Sequence, residues 1–425
     1  MKNMSEITNT SNDTSLEKSI HVFDTHDHGR KSQNNNILIT VSLYLMIAVY
    51  ALSVTMLGPL MPMIINVYKI RLSYGGLIVV FQNIGGILSV ALGGILADRI
   101  KKSSIIIAAY IVYGASLLLI STSPVYGLLL VLFFTLGAGN RMVDSVTNAF
   151  IADMHPEKRG IYLNMLHGFY AIGALLGPLY SQYLINRGIA WNRIFSILSF
   201  ICALVLILFL VMLKKFPPVY ISKSKTKNTD LSKVMKNPAI WMLCLIMVTN
   251  SANQSSINTW WVMYMQDYIK ALISISSISL SVFWAGIILG RFICSYFTRY
   301  IKPKHVLIWG NLSGGIILTL SIMIGKPIFL VIAVGLTGFL TGAVIPMLVT
   351  IACEWYPQNS GTASSMIFFS GSLAQIFFPW LIGYVIEGFS FKSGITITGV
   401  ILLIGFLISL YLSVTGKWQK GIGSE

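Results

Sequence analysis

Twelve apolar runs, each long enough to cross a bilayer core, decide what this 425-residue chain can fold into before any motif is read. They lie at 37–62, 74–98, 104–121, 124–152, 160–186, 194–213, 238–265, 272–298, 305–324, 327–353, 361–386 and 394–414. About 20 helical residues, at about 1.5 Å each, span the roughly 30 Å of hydrocarbon. Lipid offers no partner to a backbone N–H or C=O, so each run must close its hydrogen bonds internally as a helix. The expectation is an all-α integral membrane protein with 12 transmembrane helices. A composition of 55% hydrophobic and 10% charged residues agrees, since no soluble core of this length needs so much apolar surface.

The 30 Lys and Arg set the expected orientation. With both termini cytoplasmic, the inner loops hold 15, the tails six and the outer loops seven (Lys69, Arg71, Arg187, Arg193, Lys270, Lys326 and Lys392). That excess places both termini on the cytoplasmic face of a multi-pass plasma-membrane (inner-membrane) protein. The net charge of +16 therefore reflects topology and contact with lipid headgroups, and implies no nucleic-acid partner. Residues 1–36, rich in Asn, Ser and Thr, read as a disordered cytoplasmic tail. Its His21, His26 and His28 fit a solvated tail better than a metal site. The four cysteines fall within spans at no metal-like spacing and read as apolar packing residues.

The basic, Ser- and Pro-containing stretch 215–237 divides the chain into an N-terminal six-helix half, 37–214, and a C-terminal half, 238–415, followed by a short tail, 416–425. Shifting the second half back by 201 positions pairs Gly286 with Gly85, Ile301 with Ile100, Lys302 with Lys101, Glu354 with Asp153, Pro357 with Pro156, Gly361 with Gly160 and Pro379 with Pro178. One ungapped shift aligning "ADMHPEKRG" with "CEWYPQNSG" marks an internal repeat. Two pseudo-symmetric six-helix halves imply a solute site between them near the midplane, reached from either side as the halves rock.

The loop "GGILADRIKKS" then carries a resemblance: Gly94, Leu96, Ala97, Asp98, Arg99 and Lys102 match the motif between the second and third helices of the major facilitator superfamily, with Lys101 where a second glycine is usual. Within that superfamily the chain is similar to the fucose-permease-like sugar transporters through "VDSVTNAF" (143–150), "LNMLHGFYAIGALLGP" (163–178) and "SVFWAGIILGRF" (281–292). The resemblance implies a proton-linked symporter for a small polar solute, and it implies that Asp98 closes the cytoplasmic side against the N-terminus of the eleventh helix, where unpaired amides favour a carboxylate. By the same resemblance Asp144, four residues before Asn148, is the acid of substrate and proton coupling. Two positions depart from the pattern: Gly58 stands where the fucose permeases carry a second acid, and Arg141 has no counterpart.

Polar groups at depth are the candidate site. Arg141 and Asp144, in "GAGNRMVDSVTNAF", lie about 18 and about 13 Å from the inner end of the fourth helix. A lone charge there costs about 2.5 to 3.5 kcal/mol on insertion scales. Their spacing makes them neighbours on one face, able to neutralise each other either as a structural pair or as a coupling site. An arginine at that depth also suits a carboxylate, phosphate or polyol. Asn140 and Asn148 share the stretch. In the seventh helix Asn253, Gln254, Asn258 and Trp260 combine amides with an aromatic face, as hydroxylated ligands require. Trp284 and Arg291 in the eighth helix and His167 in the fifth complete the set, each also readable as a packing or locking residue.

Neither a nucleotide-binding loop nor a hydrolytic triad or metal cage is present, so the chain reads as a non-enzyme without cofactors, driven by an ion or solute gradient. Two other readings stay open. "GALLGP" (173–178) partly matches the fifth-helix motif of proton-driven exporters, although Ser181 and Gln182 replace its last glycines and Phe133 stands where many exporters carry arginine. A non-transporting solute sensor would keep the same fold. The expected partners are a small solute, protons and lipid. One chain holds both halves of the site, so a monomer suffices.

Overall fold

The computed structural model describes residues 36–97, 100–156, 158–217, 234–297, 302–356 and 359–415, and every regular element among them is helical. The spans follow the apolar runs in order. The first is broken into Asn36–Thr55 and Leu57–Tyr68, and the second to sixth are Leu72–Ala97, Lys102–Ile120, Tyr126–Met154, Arg159–Asn186 and Trp191–Lys215. The seventh, Pro238–Met263, ends in a π turn, Tyr264–Tyr268. The eighth is Ile273–Phe297 and the ninth Pro303–Ile324; the tenth is broken into Pro327–Thr341 and Val344–Trp355, and the last two are Ser360–Gly388 and Phe391–Val414. Among the described residues, ten helices are long and apolar enough to cross a membrane. The fifth and seventh fall below that threshold because amides, hydroxyls and glycines interrupt their apolar runs.

Proline explains both breaks. Pro59 has no N–H to donate to Thr55 and its ring crowds that carbonyl, so the first span kinks at Met56. Pro346 stands four residues after Gly342, where the tenth span is interrupted. The Gly342 carbonyl released there accepts a bond of 3.1 Å from Nε of Arg291.

The repeat reappears in the packing. In the N-terminal half the fourth span packs on the second and third, and the third on the sixth; in the C-terminal half the tenth packs on the eighth and ninth, and the ninth on the twelfth. A Cβ on Gly85 would come within 2.0 Å of the Phe134 carbonyl oxygen, and one on Gly137 within 1.8 Å of that of Gln82. The same shift of 201 gives Gly286 at 2.2 Å from Gly335 O and Gly338 at 2.2 Å from Phe283 O. Backbone contact this close is open only to glycine. Lys69 and Lys270, also 201 apart, are the two non-glycine residues of positive φ among those described, at 49° and 60°, just beyond the first and seventh spans.

The halves meet through the second and eleventh, the fifth and eighth, and the first and seventh spans. On the face opposite the termini, called here the far side, Glu387 accepts from the backbone N–H of Ser73 at 3.3 Å and from its hydroxyl at 2.6 Å. Its other oxygen lies 3.6 Å from the Arg71 guanidinium. Ser277 donates to Gln182 at 2.6 Å, Ser281 to the Leu175 carbonyl at 2.9 Å, and Asn258 to the Val54 carbonyl at 3.2 Å. The far side is therefore closed by contacts between the halves.

Candidate functional site

A cavity of about 150 Å³ lies at mid-depth between the halves. The first span lines it with Tyr50, Val54 and Leu57, the second with Val79, Gln82 and Asn83, the fourth with Gly137, Asn140 and Arg141, and the fifth with Tyr170. The C-terminal half supplies Gln254, Ser255, Asn258 and Thr259 from the seventh span, Trp284 from the eighth and Gln375 from the eleventh. Polar groups are carried at such depth because two halves face each other across a gap, sparing them contact with lipid.

Five residues singled out in the sequence meet in this wall: Asn140, Arg141, Gln254, Asn258 and Trp284. Arg141 crosses the seam, its Nη2 donating to Oε1 of Gln375 at 2.8 Å. Its stem lies against Gly86 of the second span, where a Cβ would come 2.5 Å from Cγ of Arg141. Asn258 holds two partners: its Nδ2 donates to Val54 and its Oδ1 accepts from Nε1 of Trp284 at 3.3 Å. The Trp284 ring meets Tyr170 edge-on at 6.4 Å. Asn140 is 2% exposed and neither of its amide atoms has a partner; Nε2 of Gln254 is likewise buried and unpaired.

Arg141 and Asp144 make no direct ion-pair contact, although Asp144 is among the charges that act on Arg141. Among the described residues the ion pairs join Arg71 to Glu387 and Lys102 to Asp153. Arg141 turns towards the eleventh span, while Asp144 accepts from Nδ2 of Asn148 at 3.1 Å; that same nitrogen donates to the Asp144 backbone carbonyl at 2.8 Å. Asp144 and Asn148 are half-buried one and two turns on the terminal side of Arg141, outside the cavity wall. His167 is exposed there, and its electrostatic neighbours are Asp144 and Arg291. Asp144, His167 and Arg291 are thus neighbours between the cavity and the terminal side, with Arg291 anchored on Gly342.

Two residues expected at the site lie elsewhere. Asn253 is fully buried with Nδ2 donating to the Thr398 carbonyl at 3.0 Å, so it ties the seventh span to the twelfth. Its neighbour Asn250 does the same towards Asn311 of the ninth at 3.0 Å. Trp260 is also fully buried, its Nε1 donating to the Pro379 carbonyl at 2.7 Å, and it belongs to the far-side seal. Of the loop motif, Asp98 and Arg99 lie outside the described residues. Gly94 falls in the second helix, and Lys102 pairs with Asp153 at the end of the fourth.

Sequence reasoning missed Gln375, Gln82, Asn83, Tyr50 and Tyr170. The adjacent amides in "VVFQNIGG" and the solitary one in "SLAQIFF" were the available signal, since an amide within an apolar span needs a buried partner. Asn83 donates weakly, at 3.4 Å, to the Gln375 carbonyl, which Pro379 leaves without its helical N–H.

The family description that matches is Major Facilitator Superfamily, over residues 43–268 and 243–424. A protein described as a TsgA homolog from Buchnera aphidicola subsp. Schizaphis graminum is 24% identical over 393 residues, covering 90% of this chain and 98% of its own. A putative glucose/galactose transporter of Helicobacter pylori is 24% identical over 256 residues, 57% of this chain and 62% of its own. Among solved structures, a bacterial homolog of the human lysosomal transporter Spinster, in an inward-facing and unoccupied conformation, superposes with a TM-score of 0.76 at 15% identity, over 92% of this chain and 99% of that one. With twelve spans in two repeated halves and a polar cavity between them, the chain belongs to the major facilitator superfamily: it is a multi-pass membrane transporter and not an enzyme.

Proposed function

We propose that this protein carries a small polar solute, sugar-like or an organic anion, across the plasma membrane by alternating access, with protons as the coupling ion and both termini in the cytoplasm. The observation that carries this reading is the cavity itself, walled by both halves and sealed on one side by contacts that must part for the other state to form. Its wall of amides, hydroxyls and aromatic rings suits a hydroxylated ligand, and the resemblance to a putative glucose/galactose transporter supports the same class. The excess of Lys and Arg in loops on the terminal side supports the orientation.

Asp144 is the proposed coupling acid. It stands one turn from the cavity, with the Asn148 amide as its hydrogen-bond partner and no ion pair to a cation among the described residues. His167 and Arg291 beside it would sense its charge. The test is solute accumulation in proteoliposomes under an imposed pH gradient. Wild type is expected to accumulate solute inward with the proton gradient, and Asp144→Asn to exchange solute across the membrane without accumulating it. Accumulation by the variant equal to that of wild type would remove Asp144 from the coupling role.

A further inference from the structure

We infer that the solute carries a carboxylate, and that Arg141 is its receptor: the ligand class is a small polyhydroxy acid rather than a neutral sugar. The inference rests on the reading of the mid-depth cavity as the transport site, and narrows it.

Three observations converge. First, Arg141 is the one charged residue among the described residues of the cavity wall, which include no Asp, Glu, Lys or His. The nearest acid in sequence, Asp144, is hydrogen-bonded to Asn148 and is not part of the wall, though it is an electrostatic neighbour of Arg141, Tyr50 and Tyr170. A guanidinium at mid-depth with no carboxylate in ion-pair contact among the described residues, and with Asp144 acting on it only from a distance, leaves a place for an anion. Second, the hydrogen bond given to that guanidinium is the one to Gln375. It has five N–H donors in a fork that matches a carboxylate in two-point contact, so most of its capacity faces the cavity unused. Third, the neighbouring wall is short of partners: Asn140, 98% buried, has neither amide atom satisfied, and Gln254 presents an unpaired Nε2. These groups need donors and acceptors, which hydroxyls supply together.

Charge and volume narrow the class further. One guanidinium balances one negative charge, whereas a phosphate monoester brings about 1.5 to 2 near neutral pH and would leave part of it buried without a cation. One water needs about 10 to 15 Å³, so the cavity of about 150 Å³ admits several waters and hence a small solute. A six-carbon hydroxy acid, with its carboxylate on Arg141 and its hydroxyls towards Asn140 and Gln254, matches the groups left without partners.

The experiment compares D-gluconate with D-glucitol, which share a carbon skeleton and differ by the carboxylate, together with D-galactose, by thermal unfolding and by equilibrium binding to the purified full-length protein. Wild type is expected to bind gluconate at least tenfold more tightly than glucitol. Arg141→Gln should bind both alike, and Arg141→Lys, which keeps the charge without the fork, should retain part of the preference. Gly168→Ala, outside the cavity wall and with nothing within 4 Å of the added methyl, controls for folding and should keep the preference. If glucitol or galactose binds wild type as well as gluconate does, and Gln254→Ala abolishes it, the carboxylate is wrong while the cavity remains the site. A preference for gluconate that survives in Arg141→Gln overturns the assignment of Arg141. Failure of every hydroxylated ligand to bind wild type overturns both the acid and the reading of the cavity on which it rests.

Discussion

Gly86 packs against the stem of Arg141 and Gly137 against the Gln82 backbone, so substitution should separate affinity from stability. A methyl group on Gly137 meets the Gln82 carbonyl at 1.8 Å, which only a shift of whole helices could relieve. Gly137→Ala should therefore lower unfolding stability by about 1 to 3 kcal/mol or prevent folding, as should Gly338→Ala at the repeat-related position. Gly168→Ala, with nothing within 4 Å of the new atom, should be neutral or stabilising by up to about 1 kcal/mol. Gly86→Ala meets the stem of Arg141, which can yield by re-aiming its guanidinium. Solute affinity should fall about tenfold there, with a smaller loss of stability than at Gly137. Denaturation and binding on the same preparations check all four. Equal stability of Gly137→Ala and Gly168→Ala would show that the second and fourth spans do not pack as described.

The residues of the site were partly legible. A charge or amide within an apolar run is visible in any sequence, which is why Asn140, Arg141, Gln254, Asn258 and Trp284 were found. What the pattern cannot say is which way a polar residue turns when every face of its helix is covered by protein. Asn253 and Gln254 are adjacent in sequence and so about 100° apart around the helix; one anchors the twelfth span and the other faces the cavity. Arg141 and Asp144 parted for a similar reason. Spacing allowed a pair, but the eleventh span, far away in sequence, offered Gln375.

Helix ends carry the far-side seal, and the element most exposed to test is the contact of the eleventh span with the second. Glu387 caps the start of the second span across the boundary between the halves, through the Ser73 N–H and hydroxyl. The Arg71 side chain is 77% exposed, so its ion pair adds little and the cap is the stronger tie. Glu387→Gln weakens that tie while preserving shape. A cysteine replacing Val54 in the cavity wall should then react severalfold faster with a membrane-impermeant thiol reagent applied from the far side. An unchanged rate would mean that Trp260 and the serine contacts hold the far side alone. The breaks in the first and tenth spans follow from Pro59 and Pro346, yet the apolar runs hid them, because hydropathy is blind to a missing N–H.

Across the whole molecule, number of spans, their order and the repeat were readable because length and periodicity survive any change of side-chain detail. The shift of 201 residues reappears in close glycine contacts and in two left-handed lysines. The relative position of the halves was not readable, since it depends on contacts between residues far apart in the chain, such as Ser277 with Gln182. Those contacts also give the most direct test of alternating access. Cysteines replacing Ser277 and Gln182, in a chain whose four native cysteines are replaced, can be joined by a short bifunctional thiol reagent that is cleaved by reduction. Flux of the solute into proteoliposomes should stop on joining and return on cleavage, while solute binding from the terminal side persists throughout. Flux that continues with the far side tied shut would contradict the account.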